Sequence, residues 1–312
     1  MNKLEMLKQI KNLYEQGVNI IQYLKKLDGK NIQSSNSKSD VLISYDFQAG
    51  SYVEGYKKND DITFTDRLAD IIKNLNCSKN SLMEAGVGEA TTLTRLLRHK
   101  GLTFNKIYGF DISWSRIKFA QNFVNSEWPA KNVNEGWASS CALFVGDLFD
   151  IPLFNDSVDI VYTSHSIEPN GGKEEEALRE LYRVTKNYLI LLEPAYEFAN
   201  EDARNRMVAH GYVKNLYATA KNLGYKILTY ELYGVSTNPL NPTGLMIIEK
   251  NPDNNLSSTM PFCDPITKTK LSVKGNVYFS EEGLISYPIV NGVPCLMKDY
   301  AIITTKMAHF YQ

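Results

Sequence analysis

Between residues 3 and 26 the apolar side chains Leu4, Met6, Leu7, Ile10, Leu13, Tyr14, Val18, Ile21 and Leu24 recur at spacings of mostly three or four. That stripe predicts an amphipathic helix packed on the main body of the protein. Asp28, Gly29 and the polar run SSNSKSD at 34–40 predict its end and a loop. The following ISYDFQAGSYVEGY carries aromatics at 45, 47, 52 and 56 and reads as a lid or an edge element.

From about residue 64 the pattern alternates. Short apolar runs at 81–85, 106–110, 141–145, 157–163, 187–193, 225–231 and 243–249 predict strands. Helical runs lie between them at 64–75, 91–99, 114–125, 172–185 and 201–223. Such alternation predicts an α/β fold of Rossmann-like type, a mostly parallel sheet covered by helices on both faces. In such sheets ligands bind beyond the carboxyl ends of the strands, at the switch point, so functional residues are expected just after the strands. The polar stretch NPDNNLSST at 251–259 reads as a linker, and 260–298 as a small β module. The expected organisation is an N-terminal helix and lid (1–63), a central domain (64–250) and a linker with a β-rich C-terminal module (251–312).

Composition narrows the function classes. The chain has 312 residues, Lys+Arg 34 against Asp+Glu 35, hydrophobic 43% and charged 22%, which excludes collagen-like, disordered and disulfide-dense chains. A net charge of −1 gives no general footprint for nucleic acid or an anionic membrane. No stretch approaches the roughly 18 to 20 apolar residues of a membrane span. The N-terminus has neither an h-region nor a small-residue cleavage site, so a cytoplasmic protein is expected. Cysteines at 77, 141, 263 and 295 form no CxxC pair, which suits free thiols and supplies no metal site.

The segment LMEAGVGEATTLTRLL runs strand, glycine turn, helix. Gly86 and Gly88 permit positive φ and close approach of a ligand to the backbone, and the helix starting at Thr91 presents free N–H groups. A nicotinamide or flavin fingerprint would carry glycine at the sixth position, where Thr91 stands. Glu84, just before the glycines, would repel a pyrophosphate and suits an ammonium or sulfonium group. Asp111, ending the second strand in YGFDIS, can accept from ribose hydroxyls. Asp147, in FVGDLFDIPL, can accept from an adenine amino group, with Ile112 and Leu148 as apolar walls. Asp159, which begins the fourth strand in DSVDIVYTSHSIEP, is counted with Glu84, Asp111 and Asp147 as an expected series of acids at four successive strand ends. A lone Asp is more often a turn or helix cap; four acids in order, one Glu and three Asp, point to S-adenosylmethionine.

EAGVGEA, YGFDIS, GDLFDIPL, DSVDIVYTSHSIEP and EEEALRELYRVTKNYLILLEP together resemble the class I S-adenosylmethionine-dependent methyltransferases of type 11, over roughly residues 64–250. The resemblance implies a seven-stranded sheet with the last strand antiparallel. It also implies Gly86 and Gly88 beneath the amino-acid moiety, Asp111 on the ribose, Asp147 with Leu148 at the adenine, and S-adenosylhomocysteine as product. Ala90 departs from the pattern, standing where many members carry a third glycine. FCDPITKTKL and YFSEEGLISYPIVNGVPCLM resemble a zinc-ribbon-like domain; only Cys263 and Cys295 remain of its paired ligands, so a metal-free, degenerate module held by apolar residues is expected.

Methyl transfer from a sulfonium is an in-line displacement that rests largely on positioning. For a hydroxyl nucleophile His165 is the candidate base, with Glu168 three residues on; the other reading makes His165 a shaped part of the pocket wall. Candidate substrate contacts are Tyr45 or Tyr52 from the lid, Glu193 beside Pro194 at the fifth strand end, and His210. The leading expectation is a methyltransferase acting on a small molecule, a sugar or another metabolite. The alternatives are an RNA methyltransferase and a non-catalytic cofactor-binding scaffold. The acceptor atom stays open, as does the oligomeric state, with a homodimer among the expected forms.

Overall fold

The computed structural model describes residues 3–31, 33–59, 61–127, 141–236, 238–250 and 262–311. The linker expected at 251–259 lies outside these residues. Seven strands form the central sheet: β1 (Ser81–Ala85), β2 (Lys106–Asp111), β3 (Cys141–Val145), β4 (Val158–Ser164), β5 (Thr185–Pro194), β6 (Lys226–Leu232) and β7 (Thr243–Glu249). Their order is β3-β2-β1-β4-β5-β7-β6, with β7 antiparallel to both neighbours. The chain winds outward from β1 to β3 and then returns to β4 on the other side of β1. The switch point therefore lies at the carboxyl ends of β1 and β4, between the glycine loop and His165.

The central strands are apolar because both faces are covered. Val158, Ile160, Val161 and Tyr162 of β4 have no exposed surface, and the same holds for Leu189, Ile190 and Leu192 of β5. The covering helices are amphipathic at the spacing the sequence shows. In α8 (Glu174–Val184) the residues Ala177, Leu178, Leu181 and Val184 are fully buried, the larger of them worth about 1.5–3 kcal/mol each. The other helices of this domain are α5 (Thr63–Asn74), α6 (Thr91–Leu97), α7 (Trp114–Glu127), α9 (Glu201–His210) and α10 (Leu216–Asn222).

Three expected elements differ in detail. The single helix over 3–26 is two, α1 (Leu7–Glu15) and α2 (Ile20–Leu27), broken at Gly17 with φ +79° and restarted by Asn19, whose side chain accepts from the Gln22 N–H. The helix expected over 201–223 is likewise α9 and α10, separated where Gly211 takes φ +70°. The polar run at 34–40 is only half loop. Ser37 and Asp40 form a reciprocal capping box that starts α3 (Lys38–Phe47), followed by α4 (Ser51–Lys58), so the lid is helical.

The C-terminal module is a five-stranded antiparallel sheet of β8 (Ser272–Lys274), β9 (Val277–Ser280), β10 (Ile285–Val290), β11 (Val293–Pro294) and β12 (Ile302–Ile303). Leu271, Phe279, Tyr287 and Leu296 are buried in this module, whereas Val277, Ile285 and Ile289 are half-buried. The module continues the edge of the central sheet: the Leu296 N–H donates to the Val145 carbonyl at 2.9 Å. It also receives donors from α7, with Trp114 Nε1 on Val290 O, Lys118 Nζ on Asn291 O and Gln121 Nε2 on Gly292 O. These contacts place it beside the loop that carries Asp147.

Candidate active site

Each strand of the parallel half delivers a polar group at its carboxyl end. After β1, Gly86 has φ +72°, and a Cβ there would lie 2.2 Å from Ser166 Cβ, so the loop after β4 packs where any side chain would stand. Asp111 at the end of β2 is buried; its Oδ2 accepts the Gly88 N–H at 3.2 Å and its Oδ1 the Ser113 N–H at 2.9 Å. Asp147 after β3 is also buried; Oδ1 accepts the Phe149 N–H at 3.0 Å and Oδ2 accepts from Lys38 Nζ at 2.9 Å. Gly86, Asp111, Ile112, Asp147, Leu148, Ser164, His165, Ser166 and Glu168 line one cleft, closed from above by Lys38, Val41, Tyr45 and Tyr52 of the lid.

The lid is pinned by two carboxylates at helix starts, where free N–H groups attract negative charge. Glu89 of the glycine loop accepts the Gly50 N–H at 2.9 Å and the Val53 N–H at 2.8 Å, holding the start of α4. Asp46 of α3 accepts the Ser113 and Ser115 hydroxyls at 2.6 and 3.0 Å, holding the start of α7. Between these anchors the Arg116 guanidinium stacks against both lid tyrosines, 5.3 Å from the Tyr45 ring and 4.9 Å from Tyr52. Lys38 completes the closure by bridging Asp147 to Asp299 of the C-terminal module.

The other end of the cleft is a hydrogen-bonded acid cluster. His165, at φ +53°, contacts Glu168 Oε2 through Nδ1 at 2.7 Å and Thr243 Oγ1 through Nε2 at 2.8 Å. Asn241 Nδ2 donates to Glu168 Oε2 at 3.0 Å, and Tyr212 bonds the same carboxylate. Burial pulls the His165 pKa down, but the bond to Glu168 and the charges of Glu168 and Glu193 outweigh it and leave it above the ordinary value. Burial pushes Glu168 up, and the bond and charge of His165 bring it below its ordinary value. Glu193 shapes the loop: it accepts the N–H groups of Ser166, Ile167 and Glu168 at 3.0, 3.1 and 3.0 Å, with its pKa raised by burial.

Of the residues expected from sequence, Gly86, Asp111, Ile112, Asp147, Leu148, His165, Glu168, Tyr45 and Tyr52 meet in this cleft. Gly88 faces Arg116, whose Nη2 stands 2.3 Å from where its Cβ would be. Glu84 is a layer deeper, accepting from Tyr162 O–H at 2.8 Å. Glu193 supports the loop from behind, and His210 ends α9, its ring 5.2 Å from Tyr212. Asp159 begins β4, as its place in the sequence indicates, so it does not belong with the acids at strand ends: it lies at the opposite edge of the sheet and accepts from the Ser81 N–H and hydroxyl at 2.9 Å. A residue at a parallel strand's beginning cannot share an edge with residues at strand ends. Ala90, in place of a third glycine, is fully buried at φ +59° and precedes α6. Sequence reasoning missed Lys38, Asp46, Glu89 and Arg116.

Residues 83–191 match a family model described as methyltransferase domain. They are a methyltransferase domain. Among solved structures, the methyltransferase domain and its flanks are similar to the magnesium protoporphyrin IX methyltransferase of Synechocystis PCC 6803 with bound SAH. The TM-score is 0.50 at 12% identity, over 69% of this chain and 100% of that one. A SAM-dependent methyltransferase from Aquifex aeolicus aligns with TM-score 0.46 and 17% identity, over 62% and 97% of the respective chains. No curated protein matches the chain. The methyltransferase domain indicates S-adenosylmethionine as cofactor, and the residues fit that group. Asp111 and Asp147 present buried carboxylates on one wall, Ile112 and Leu148 flank them with apolar surface, and Gly86 leaves its backbone open.

Proposed function

We propose that the protein is an S-adenosylmethionine-dependent methyltransferase whose acceptor is a small molecule, a sugar or another metabolite, and that it works in the cytoplasm. The observation that carries this reading is the shared cleft: the two carboxylates suited to an adenosyl group and the His165–Glu168 cluster line one space under the lid. The lid, held by Glu89 and Asp46, contributes Lys38, Val41, Tyr45 and Tyr52 to the cleft, and a cleft partly covered in this way favours a compact acceptor over a polymer.

In this reading Asp111 takes the ribose hydroxyls, and Asp147, with Ile112 and Leu148, takes the adenine. Bound S-adenosylmethionine supplies an electrophilic methyl group. The chain's own contribution is orientation and exclusion of water by Tyr45 and Tyr52, since in-line displacement gains most from a fixed approach. Both ring nitrogens of His165 are engaged, Nδ1 by Glu168 and Nε2 by Thr243, so we assign His165 to shaping and fixing the acceptor wall rather than to proton removal.

No helix among the described residues is long and apolar enough to cross a membrane. The test is incubation with methyl-labelled S-adenosylmethionine and either a deproteinised small-metabolite fraction or total RNA. Label in the small-molecule fraction supports the proposal, label in RNA replaces it with the polymer reading, and label in neither despite tight cofactor binding favours a scaffold.

A further inference from the structure

The cleft wall carries three cationic or ionisable nitrogen groups, and two are matched by the protein itself. Lys38 sits between Asp147 and Asp299, and His165 against Glu168. Arg116 is different. Its side chain is 10% exposed; among the described residues its one ion pair is with Asp111 Oδ2, 3.4 Å from Nη1 and well beyond the roughly 2.7–2.9 Å of a tight charge-assisted bond, while Glu89 acts on it only from farther away. Its Nε is buried and, among the described residues, has no hydrogen-bond partner. A buried, incompletely matched guanidinium is costly unless a ligand completes it.

The surroundings hold this cation at one spot. Tyr45 and Tyr52 lie over it, and Gly88 makes room for it, since a Cβ there would come within 2.3 Å of Nη2. It stands between the glycine loop and Asp111. S-adenosylmethionine and S-adenosylhomocysteine each carry one anionic group, the α-carboxylate, at the end away from the adenine. We infer that Arg116 is the carboxylate anchor of the cofactor, so that this chain selects ligands bearing an intact amino-acid end. The inference rests on the cofactor reading above. It also gives the lid a ligand-dependent part, because Tyr45 and Tyr52 pack on the same guanidinium that the carboxylate would engage.

Titration calorimetry with three probes tests it: S-adenosylhomocysteine, its decarboxylated form, and methylthioadenosine, which lacks the amino-acid end altogether. The wild type is expected to bind S-adenosylhomocysteine about 10- to 100-fold more tightly than the decarboxylated form, the scale of one charge-assisted contact. Arg116→Met should bring that ratio within about threefold and leave methylthioadenosine affinity within about twofold, with Arg116→Lys between the two. An unchanged ratio in Arg116→Met, or equal weakening of all three probes, overturns the assignment and leaves Arg116 a packing residue. Should Arg116→Met fail to fold by circular dichroism, the wild-type ratio decides alone, and the absence of a preference for the carboxylate overturns the inference. If the wild type binds methylthioadenosine and S-adenosylhomocysteine equally, only this inference falls; if it binds none of the probes, the cofactor reading falls with it.

Discussion

Glu84 is 2% exposed and accepts from the Tyr162 hydroxyl and the Leu93 N–H, yet burial dominates and pushes its pKa from 4.5 up to about 8. Between those values the folded chain holds a proton that the unfolded chain has released. The contribution of Glu84 to stability is therefore complete below about pH 4.5 and is lost as pH rises toward 8, by about 5 kcal/mol in total at 1.36 kcal/mol per unit. That is a large part of the stability of an ordinary domain, so the effect is measurable. Glu84→Gln keeps an acceptor for Tyr162 and removes the titration. Urea unfolding between pH 5 and 9, followed by circular dichroism, should show the wild-type midpoint falling with pH and the variant falling much less. Because every other titrating group is common to both proteins, the difference isolates Glu84. Parallel slopes would refute the argument and mean that Glu84 is ionised in the folded chain.

Three further outcomes follow from contacts described above. Gly86→Ala meets Ser166 at 2.2 Å and a left-handed backbone, and should lower stability by more than about 2 kcal/mol while weakening S-adenosylhomocysteine binding, read by thermal melting with and without ligand. Glu89→Ala removes both acceptors at the start of α4 and should speed S-adenosylhomocysteine release about tenfold in stopped-flow measurements; an unchanged release rate would show that the lid does not gate the cofactor. His165→Ala, assayed with the acceptor once identified, should keep turnover within about tenfold; a loss beyond about a hundredfold would make His165 the general base instead.

The strands β1, β4, β5 and β7 were legible because each is an apolar run buried on both faces, and the carboxylates Asp111 and Asp147 were legible because they stand at the ends of such runs. The lid was harder. Its first helix opens in a serine-rich run that reads as loop, and only the Ser37-x-x-Asp40 spacing marks the capping box. Arg116 sits in a helix, where an arginine ordinarily faces solvent, and nothing local announces that two tyrosines, 71 and 64 positions earlier, cover it. Lys38 and Asp299 are 261 positions apart, and their meeting at Asp147 depends on how the N-terminal helices and C-terminal module dock. Asp159 is the opposite case: its place at the start of the fourth strand was legible, and that start lies at the edge of the sheet opposite the cleft. The engagement of His165 Nε2 by Thr243 also depends on β7 lying next to β5, a pairing that side-chain periodicity does not encode.

Titration calorimetry of S-adenosylhomocysteine into the wild type and Asp111→Ala tests the cofactor cleft most directly. Saturable binding at one site per chain is expected, weakened at least about tenfold by loss of the Asp111 carboxylate, with both proteins equally folded. No binding to the wild type, or the same affinity in Asp111→Ala, would contradict it.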